Sequence, residues 1–159
     1  MFRSVPLPDE IPGKLYLHHM PGLSESWSEF EHYAQSVNLS LIVCLAYPEE
    51  IESLSPGYAE AIRTKRLPCF LVSYTITDHS IPTNRIEYSK FVQIITEKIR
   101  EGSSVLVHCR AGVERTGLFA SCILHQLGLS DLEVDELIRN AKGWPASVEE
   151  IRDFCTQIL

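Results

Sequence analysis

The stretch SVLVHCRAGVERTG, Ser104–Gly117, limits the possible folds of this chain more than any other segment. It opens with a run of strand-forming apolar residues that stops at His108 and Cys109. Arg115 follows six positions after the cysteine, and the chain from Thr116 onward is apolar on nearly every side. A helix of that kind must be packed by neighbours all around it. The segment therefore predicts a strand, a short loop and a central buried helix, in that order.

Strand and helix patterns alternate through the rest of the chain. Strands are predicted at 13–19, 39–45 and 68–74, and helices near 26–36, at 48–54, at 56–65 and in a long segment that ends at Gly102. Three serine–glutamate pairs have the spacing of capping boxes and mark further helix starts: Ser26 with Glu29, Ser130 with Glu133, and Ser147 with Glu150. This order predicts a single α/β domain, with a mainly parallel twisted sheet and helices on both of its faces. Functional groups of such folds collect at the carboxyl ends of the strands, where Cys109 lies.

Length and charge narrow the class of protein and its partners. The 159 residues are the size of one domain, 1–159, and they include 14 Lys+Arg against 21 Asp+Glu, for a net charge of −7. The chain has no run of basic residues, so neither nucleic acid nor a membrane surface is an expected partner. It also has no apolar stretch with the length of a signal-peptide core or a membrane span. We expect a cytoplasmic protein that is a monomer.

The five cysteines predict reduced thiols. Their number is odd and no two form a C-x-x-C pair, which argues against a disulfide framework and against a zinc site. Four of them lie in apolar runs, where free cysteine is usually a small core residue: Cys44, Cys69, Cys122 and Cys155. Only Cys109 needs another explanation.

The loop that follows Cys109 has the residues of an anion site. A tight loop between a strand and a helix start turns its backbone N–H groups inward, and the helix dipole adds partial positive charge there. Gly112 can adopt the backbone angles of such a turn, and Arg115 offers a planar fork to two phosphate oxygens. The predicted phosphate-binding residues are Arg110, Ala111, Gly112, Val113, Glu114 and Arg115. The same surroundings favour the thiolate of Cys109 as a nucleophile beneath a bound phosphate, with the hydroxyl of Thr116 as a donor to it.

A thiolate that attacks a phosphate ester needs an acid, because the departing oxygen would otherwise carry the charge. We expect Asp78 to be this acid. It lies in the long loop TITDHSIPTN, 75–84, which leaves the carboxyl end of a predicted strand and is stiffened by Pro82. After donating its proton, Asp78 would activate the water that frees Cys109. This chemistry requires no metal, the sequence suggests no group of metal ligands, and no cofactor is predicted.

HCRAGVERTG resembles the H-C-x-x-G-x-x-R-[ST] signature of cysteine-dependent protein phosphatases, and DHSIP, 31 residues before Cys109, resembles their general-acid loop. KLYLHHMPG is similar to the first strand and the following loop of this family, so the likeness covers most of the chain. The short length and the absence of a W-P-D tripeptide resemble the compact dual-specificity branch, in particular its small atypical members and the cyclin-dependent-kinase-associated phosphatases.

The resemblance implies a role for each of five residues. Cys109 would be the nucleophile, Arg115 the phosphate binder, and Asp78 the general acid and then the general base. Thr116 would assist the sulfur as leaving group, and His108 would support the loop through hydrogen bonds.

Two positions depart from the family pattern. Ile151 stands where members often have the glutamine of a Q-x-x-F motif, which leaves open the group that positions water in the second step. Glu114 occupies a position beside the arginine that is commonly small, neutral or basic, and it opposes the charge of Arg110.

Three functions remain open on the sequence. The leading hypothesis is hydrolysis of phosphotyrosine, and of phosphoserine or phosphothreonine, in proteins. The second is a catalytically silent module that binds phosphoproteins, against which the intact site residues argue. The third keeps the chemistry but acts on phosphoinositides, inositol phosphates or an RNA 5′-phosphate. Cys44, near the end of another predicted strand, is a candidate redox partner of Cys109.

Overall fold

The computed structural model describes residues 1–155, and its centre is a five-stranded sheet in the order β1-β2-β5-β3-β4. The strands are β1 Arg3–Val5, β2 Lys14–His18, β3 Leu41–Cys44, β4 Phe70–Ser73 and β5 Ser104–His108. β1 pairs with β2 in antiparallel orientation, and the other neighbouring strands are parallel. The predicted α/β fold with a mainly parallel sheet is confirmed.

Helices connect and cover the strands. They are α1 Trp27–Ser36, α2 Pro48–Leu54, α3 Pro56–Arg63, α4 Arg85–Arg100, α5 Glu114–Gln126, α6 Asp131–Asn140 and α7 Val148–Glu150, which continues as a π-helical segment, Ile151–Cys155. The predicted capping boxes are present at the starts of α1, α6 and α7. Across residues 1–155, every helix is too short or too polar to cross a membrane.

Apolar side chains alternate along the strands and fill both faces of the sheet. On one face, Val107 of β5 belongs to the same core cluster as Phe119 of α5. On the other face, Leu106 belongs to a cluster with Phe30 of α1. All five residues of β5 are buried. The strand that leads to Cys109 is therefore fixed from both sides.

Three parallel strands end together at one edge of the sheet. β5 runs between β2 and β3, and its last residue, His108, is in register with His18 of β2 and Cys44 of β3. Cys109 continues from this edge into the loop before α5. The predicted position of Cys109, at the carboxyl end of a strand and before a central helix, is confirmed.

Strands β2, β3 and β4 and helix α3 are two or three residues shorter than predicted, and two other differences are present. The sequence does not predict β1, because a three-residue strand near several prolines has a weak pattern and exists here through its pairing with β2. Helix α5 begins at Glu114, before the predicted start at Thr116. Residues 114 and 115 therefore belong to the first turn of the helix as well as to the loop.

The expectation that all cysteines are reduced is wrong for two of them. Cys122 of α5 and Cys155 of the π-helical segment form a disulfide, with 4.2 Å between their Cα atoms. The odd count argues only against complete pairing, and packing of the π-helical segment against α5 brings together two buried cysteines that are 33 residues apart. Cys44 and Cys109 are free and buried, whereas Cys69 is free and only partly buried.

Candidate active site

The sulfur of Cys109 lies at the start of α5 and receives two hydrogen bonds. The backbone N–H of Gly112 and the hydroxyl of Thr116 each donate to Sγ over 3.2 Å. Cys109 is only 3% exposed. Both donors and the positive end of the helix dipole therefore face the sulfur.

Gly112 gives the loop its shape. Its φ of +72° lies in the left-handed region, which side chains rarely adopt. A Cβ atom at this position would lie 2.2 Å from the backbone oxygen of His18. Glycine is therefore required for the loop to turn against the end of β2. The sequence predicts the turn conformation of Gly112 but not this close approach.

Arg115 is buried beneath the loop and is held by a residue that the sequence does not single out. Its Nη1 and Nη2 atoms donate to the two carboxylate oxygens of Glu50 over 2.9 and 2.8 Å, and Nη1 also donates to the backbone oxygen of Ile76 over 2.9 Å. The hydrogen bond from Arg115 lowers the pKa of Glu50, which keeps that carboxylate ionised. The Nε–H group of Arg115 is buried and has no partner among residues 1–155, so it is free to donate to a bound anion.

Asp78 lies beside Arg115 and at the surface of the protein. One of its carboxylate oxygens is 3.3 Å from Nη2 of Arg115. The next residue, His79, has a left-handed φ of 57°, and its Nδ1 atom is 3.0 Å from a carboxylate oxygen of Glu114 in the first turn of α5. This contact joins the loop 75–84 to the start of α5 and brings Asp78 close to the loop that follows Cys109.

A pocket of about 230 Å³ opens above Cys109. Its lining consists of Asp78, Cys109, Arg110, Ala111, Val113, Glu114 and Trp144. Arg110, Ala111 and Glu114 are exposed at its mouth, whereas Arg115 and Thr116 are buried below it. The structure thus brings together all of the residues that the sequence predicts for catalysis and phosphate binding.

His108 supports the loop from inside the protein. Its Nδ1 atom is 2.9 Å from the backbone oxygen of Cys109, and its Nε2 atom is 2.9 Å from the hydroxyl of Tyr58. Burial lowers the pKa of His108 to about 4, so the ring is neutral. A neutral ring that donates from Nδ1 and accepts from Tyr58 satisfies both contacts. His108 therefore makes a hydrogen bond to the loop, as the family resemblance implies.

Two other residues that sequence reasoning missed hold the loop from outside. Arg3 donates to the backbone oxygen of Gly112 over 2.8 Å, and it also donates to the backbone oxygens of Ala141 and Lys142. The backbone N–H of Trp144 donates to the oxygen of Val113 over 3.0 Å. Neither residue has a sequence signal, because each lies far from the loop along the chain.

The position of Glu50 in the sequence is compatible with a functional role, but also with a purely structural one. It follows the carboxyl end of β3, as Asp78 follows that of β4, and this position favours functional groups. It also stands at the third position of α2 and accepts a hydrogen bond from the backbone of Tyr47 over 2.8 Å. A glutamate at that position is expected as a capping residue alone.

Cys44 lies one strand away from Cys109. It is in register with His108, and its Sγ atom contacts the backbone oxygen of Ala46 at 3.5 Å. Burial raises the pKa of Cys44 to about 11. Its role as a redox partner of Cys109 stays a prediction.

Comparison with known proteins places this geometry in a family. Residues 14–155 match the family PTP-SAK, described as "Swiss Army Knife protein, DSP-PTPase phosphatase domain". The sequence is also similar to 067L of Invertebrate iridescent virus 3, whose name describes it as a tyrosine phosphatase. The two are 36% identical over 56 residues, which is 33% of this chain and 23% of that protein. The chain therefore covers about a quarter of the length of that relative.

Solved structures share the fold at low sequence identity. A kinase associated phosphatase (KAP), crystallised with a serine in place of its catalytic-site cysteine, superposes with a TM-score of 0.70 and 16% identity over 87% of this chain and 82% of its own. PTPMT1 in complex with PI(5)P superposes with a TM-score of 0.64 and 16% identity over 91% of this chain and 87% of its own. The family match covers most of the chain, and the chain therefore belongs to the PTP-SAK family, as a phosphatase domain of the dual-specificity and tyrosine phosphatase type.

Proposed function

We propose that residues 1–159 form one domain that hydrolyses phosphate monoesters on proteins through a phosphocysteine intermediate. Its substrates are phosphotyrosine and also phosphoserine or phosphothreonine. One observation carries the proposal: the sulfur of Cys109 accepts hydrogen bonds from Gly112 and Thr116, on a loop that ends in the buried guanidinium of Arg115. A stabilised thiolate and a fixed cation on one loop suit attack on a phosphoryl group.

In the first step, the thiolate of Cys109 attacks phosphorus. A sulfur–phosphorus bond forms while the bond from phosphorus to the substrate oxygen breaks, and the protonated carboxyl of Asp78 gives its proton to that oxygen. Arg115 donates to the phosphoryl oxygens, including through the Nε–H group that has no partner within residues 1–155. The 3.3 Å between Asp78 and Arg115 supports this role, because it brings the acid to the edge of the same pocket.

In the second step, water releases the phosphate. Asp78 is now a carboxylate and takes a proton from the water that attacks phosphorus, while the sulfur–phosphorus bond breaks and the thiolate returns. The hydroxyl of Thr116, 3.2 Å from Sγ, stabilises the leaving sulfur. Ile151, at the position of the family's glutamine, is buried and apolar, so we assign the orientation of the water to Asp78.

The charge at the mouth of the pocket supports a protein substrate. Of the residues that line the pocket, Arg110 is the one cation, whereas Asp78 and Glu114 are acidic. A ligand with several phosphates, such as an inositol polyphosphate or a phosphoinositide, would meet this negative charge on a protein of net charge −7. Trp144 is 64% exposed at the same mouth and offers an apolar ring surface to a peptide.

The test is the release of phosphate from a phosphotyrosine peptide by the full chain, compared with the variants C109S, R115K and C69S. We expect turnover that vanadate blocks, loss of turnover in C109S and R115K, and wild-type turnover in C69S, because Cys69 lies outside the pocket. Mass spectrometry of rapidly quenched reactions should find a phosphoryl group on the peptide that contains Cys109.

Each alternative has its own outcome. Retained turnover in C109S would contradict the mechanism. Tight binding of the phosphopeptide without turnover by the wild-type chain would identify a silent binding module instead. Faster hydrolysis of a soluble phosphoinositide, an inositol phosphate or an RNA 5′-phosphate would replace proteins as the substrate class.

A further inference from the structure

A second cavity, which we call the side groove, lies on the other side of the loop that carries Asp78. It has a volume of about 380 Å³ and lies between the end of β4, the loop 75–84 and the start of α4. Thr77 and Ser80 line the side groove, whereas Asp78, between them in the chain, lines the candidate active-site pocket. The loop is therefore a wall that both cavities share. The lining of the side groove is Tyr47, Ser73, Tyr74, Thr75, Ile76, Thr77, Ser80, Ile81, Pro82, Thr83, Asn84 and Glu87.

The side groove carries one negative charge. Within residues 1–155, Glu87 is the only charged residue of its lining. The backbone N–H of Glu87 donates to Asn84, but its carboxylate has no hydrogen-bond or ion-pair partner in the described chain. The nearest cations along the helix, Arg85 and Lys90, do not line the groove, and Arg85 lies 3.8 Å from Asp153. The carboxylate of Glu87 is therefore left without a counter-charge in the groove.

Two tyrosines accompany this carboxylate. The hydroxyl of Tyr47 is 3.4 Å from the hydroxyl of Thr77, which holds Tyr47 against the loop wall. The ring of Tyr74 stacks on that of Phe91, with 5.3 Å between the centroids. Burial raises the pKa of Tyr74, and the nearby charge of Glu87 raises it further, so the phenol is neutral. A carboxylate beside neutral tyrosine rings suits the cation of a lysine or an arginine.

The free edge of the sheet borders the side groove. β4 is the edge strand, with β3 as its neighbour. The backbone N–H of Tyr74 donates to the oxygen of Cys44 over 2.9 Å, so Tyr74 directs its backbone groups towards β3. In an extended chain the backbone groups of successive residues point to opposite sides, so those of Ser73 and Thr75 point to the free edge. An extended peptide can pair with such groups.

The side groove is within reach of a peptide whose phosphate occupies the active-site pocket. Ser73 is in register with Cys44 of β3, and Cys44 is in register with His108 at the end of β5. Because neighbouring strands lie about 4.8 Å apart, β4 is about 10 Å from the strand that leads to Cys109. An extended chain advances by about 3.3–3.6 Å per residue, so about three to five residues span this distance and cross the loop wall.

We propose that the side groove binds the side chain of a lysine or an arginine in the phosphoprotein substrate, about three to five residues from the phosphorylated residue. This inference rests on the proposed function and adds a sequence preference to it. The cation lies beside Glu87 and the tyrosine rings, and the backbone that carries it lies extended along Ser73 and Thr75. Because the groove does not touch the reacting atoms, the preference appears in KM and not in kcat.

The test is the hydrolysis of phosphotyrosine peptides by the full chain. Their flanking residues are neutral except for one arginine, which is moved step by step along both flanks. At one position, about three to five residues from the phosphotyrosine, arginine should raise kcat/KM by about 3–10-fold over the arginine-free peptide, through a lower KM. Glutamate at that position should lower kcat/KM.

Three variants assign the preference to the groove, and each is judged by the ratio of kcat/KM for the arginine peptide to that for the arginine-free peptide. E87Q should bring this ratio to about 1, and E87K should reverse the preference in favour of the glutamate peptide, because the charge of the groove is removed or inverted. E101Q is the matched control and should keep the wild-type ratio, since Glu101 lies at the other end of α4 and outside the groove. Thermal unfolding checks that each variant is folded.

The outcomes separate this inference from the proposed function. Hydrolysis of the arginine-free peptide with no effect of arginine at any position, or a wild-type ratio in E87Q, would overturn the inference and leave the proposed function in place. An equal loss of the ratio in E101Q would also overturn it, because the effect would not belong to the groove. If no phosphopeptide is hydrolysed, the proposed function fails and this inference fails with it.

Discussion

The carboxylate of Glu50 binds the guanidinium of Arg115 through two parallel hydrogen bonds of 2.8 and 2.9 Å. The pair fixes the plane of the guanidinium before any substrate arrives, and it leaves Nε–H of Arg115 as the donor without a partner in the described chain. Arg115 keeps its charge in this buried place: burial opposes it, but the hydrogen bond to Glu50 and the nearby Cys109 and Asp78 raise the pKa of Arg115.

We expect E50Q to lower kcat/KM for a phosphotyrosine peptide by roughly 10–10²-fold, because a guanidinium that is misplaced by about 1 Å loses alignment with the phosphoryl oxygens. The matched control is E49Q, since Glu49 is the exposed neighbour of Glu50 on the same helix. Steady-state kinetics on both variants checks this. Wild-type activity in E50Q, or an equal loss in E49Q, would show that the carboxylate does not position Arg115.

The variant D78N tests the general acid through the leaving group. A proton donor matters most where negative charge builds up on the leaving oxygen. D78N should therefore slow the hydrolysis of phosphopeptides, which have poor leaving groups, by roughly 10²–10⁴-fold, and the hydrolysis of activated aryl phosphates less. D131N serves as control, because Asp131 lies at the start of α6 and not in the pocket. The measurement is the rate of hydrolysis by wild type, D78N and D131N for a series of substrates whose leaving groups differ in pKa. An equal loss for all of them would remove Asp78 from this role.

The local part of the site could be predicted from sequence, and the part built from distant residues could not. The nucleophile, the glycine turn and Arg115 lie within one strand–loop–helix segment of 14 residues, Ser104–Gly117, so their spacing alone indicates an anion site. Asp78 lies 31 residues away, and its prediction rested on the end of another strand. Glu50 comes from a third strand end, and its capping position concealed its contact with Arg115.

Pairings that depend on packing are not encoded in local patterns. The disulfide between Cys122 and Cys155 exists because the π-helical segment packs on α5, and cysteine counting cannot show this contact. His18, His19 and Glu25 are close in sequence, but their side chains meet only because the loop before α1 folds back to the end of β2. The sequence therefore indicated no contact among these three side chains.

The buried ring of His108 predicts a loss of stability in acid. The pKa of this histidine is about 4 in the folded protein and near 6.5 when unfolded, so the unfolded chain binds the proton first as the pH falls. The neutral ring of His108 therefore contributes fully to the free energy of unfolding above about pH 6.5. Between about pH 6.5 and pH 4 the free energy of unfolding falls by up to about 3 kcal/mol as this contribution is lost. Denaturant unfolding of wild type and H108Q across this range measures it. H108Q should give the flatter curve, and parallel curves would contradict the assignment.

Oxidation should join Cys109 to Cys44. Peroxide converts the Cys109 thiolate to a sulfenic acid, and attack by the Cys44 sulfur then forms a disulfide and releases water. We expect peroxide to inactivate the enzyme. With excess peroxide, wild type and C69S should still recover in dithiothreitol, whereas C44S should not, because its unprotected sulfenic acid is oxidised further to sulfinic acid. Peptide mapping identifies the new disulfide and distinguishes it from Cys122–Cys155. A map without a Cys44–Cys109 peptide would exclude Cys44 as the partner.

Glu114 allows a test of substrate class at the mouth of the pocket. It contacts His79 at 3.0 Å and is half exposed, and it faces the same pocket as Arg110. We expect the wild-type enzyme to prefer a phosphotyrosine peptide over a soluble phosphoinositide in kcat/KM. E114K should narrow this preference, because a lysine attracts the additional phosphates of the phosphoinositide.

The control E114Q separates the two effects of this substitution. Like E114K, it removes the carboxylate that contacts His79, but it adds no positive charge. If the preference for the peptide is smaller in E114K than in E114Q, and this difference shrinks at high salt, the effect is due to charge at the mouth of the pocket. Equal ratios of kcat/KM in the two variants, or a preference of the wild-type enzyme for the phosphoinositide, would refute this account of specificity.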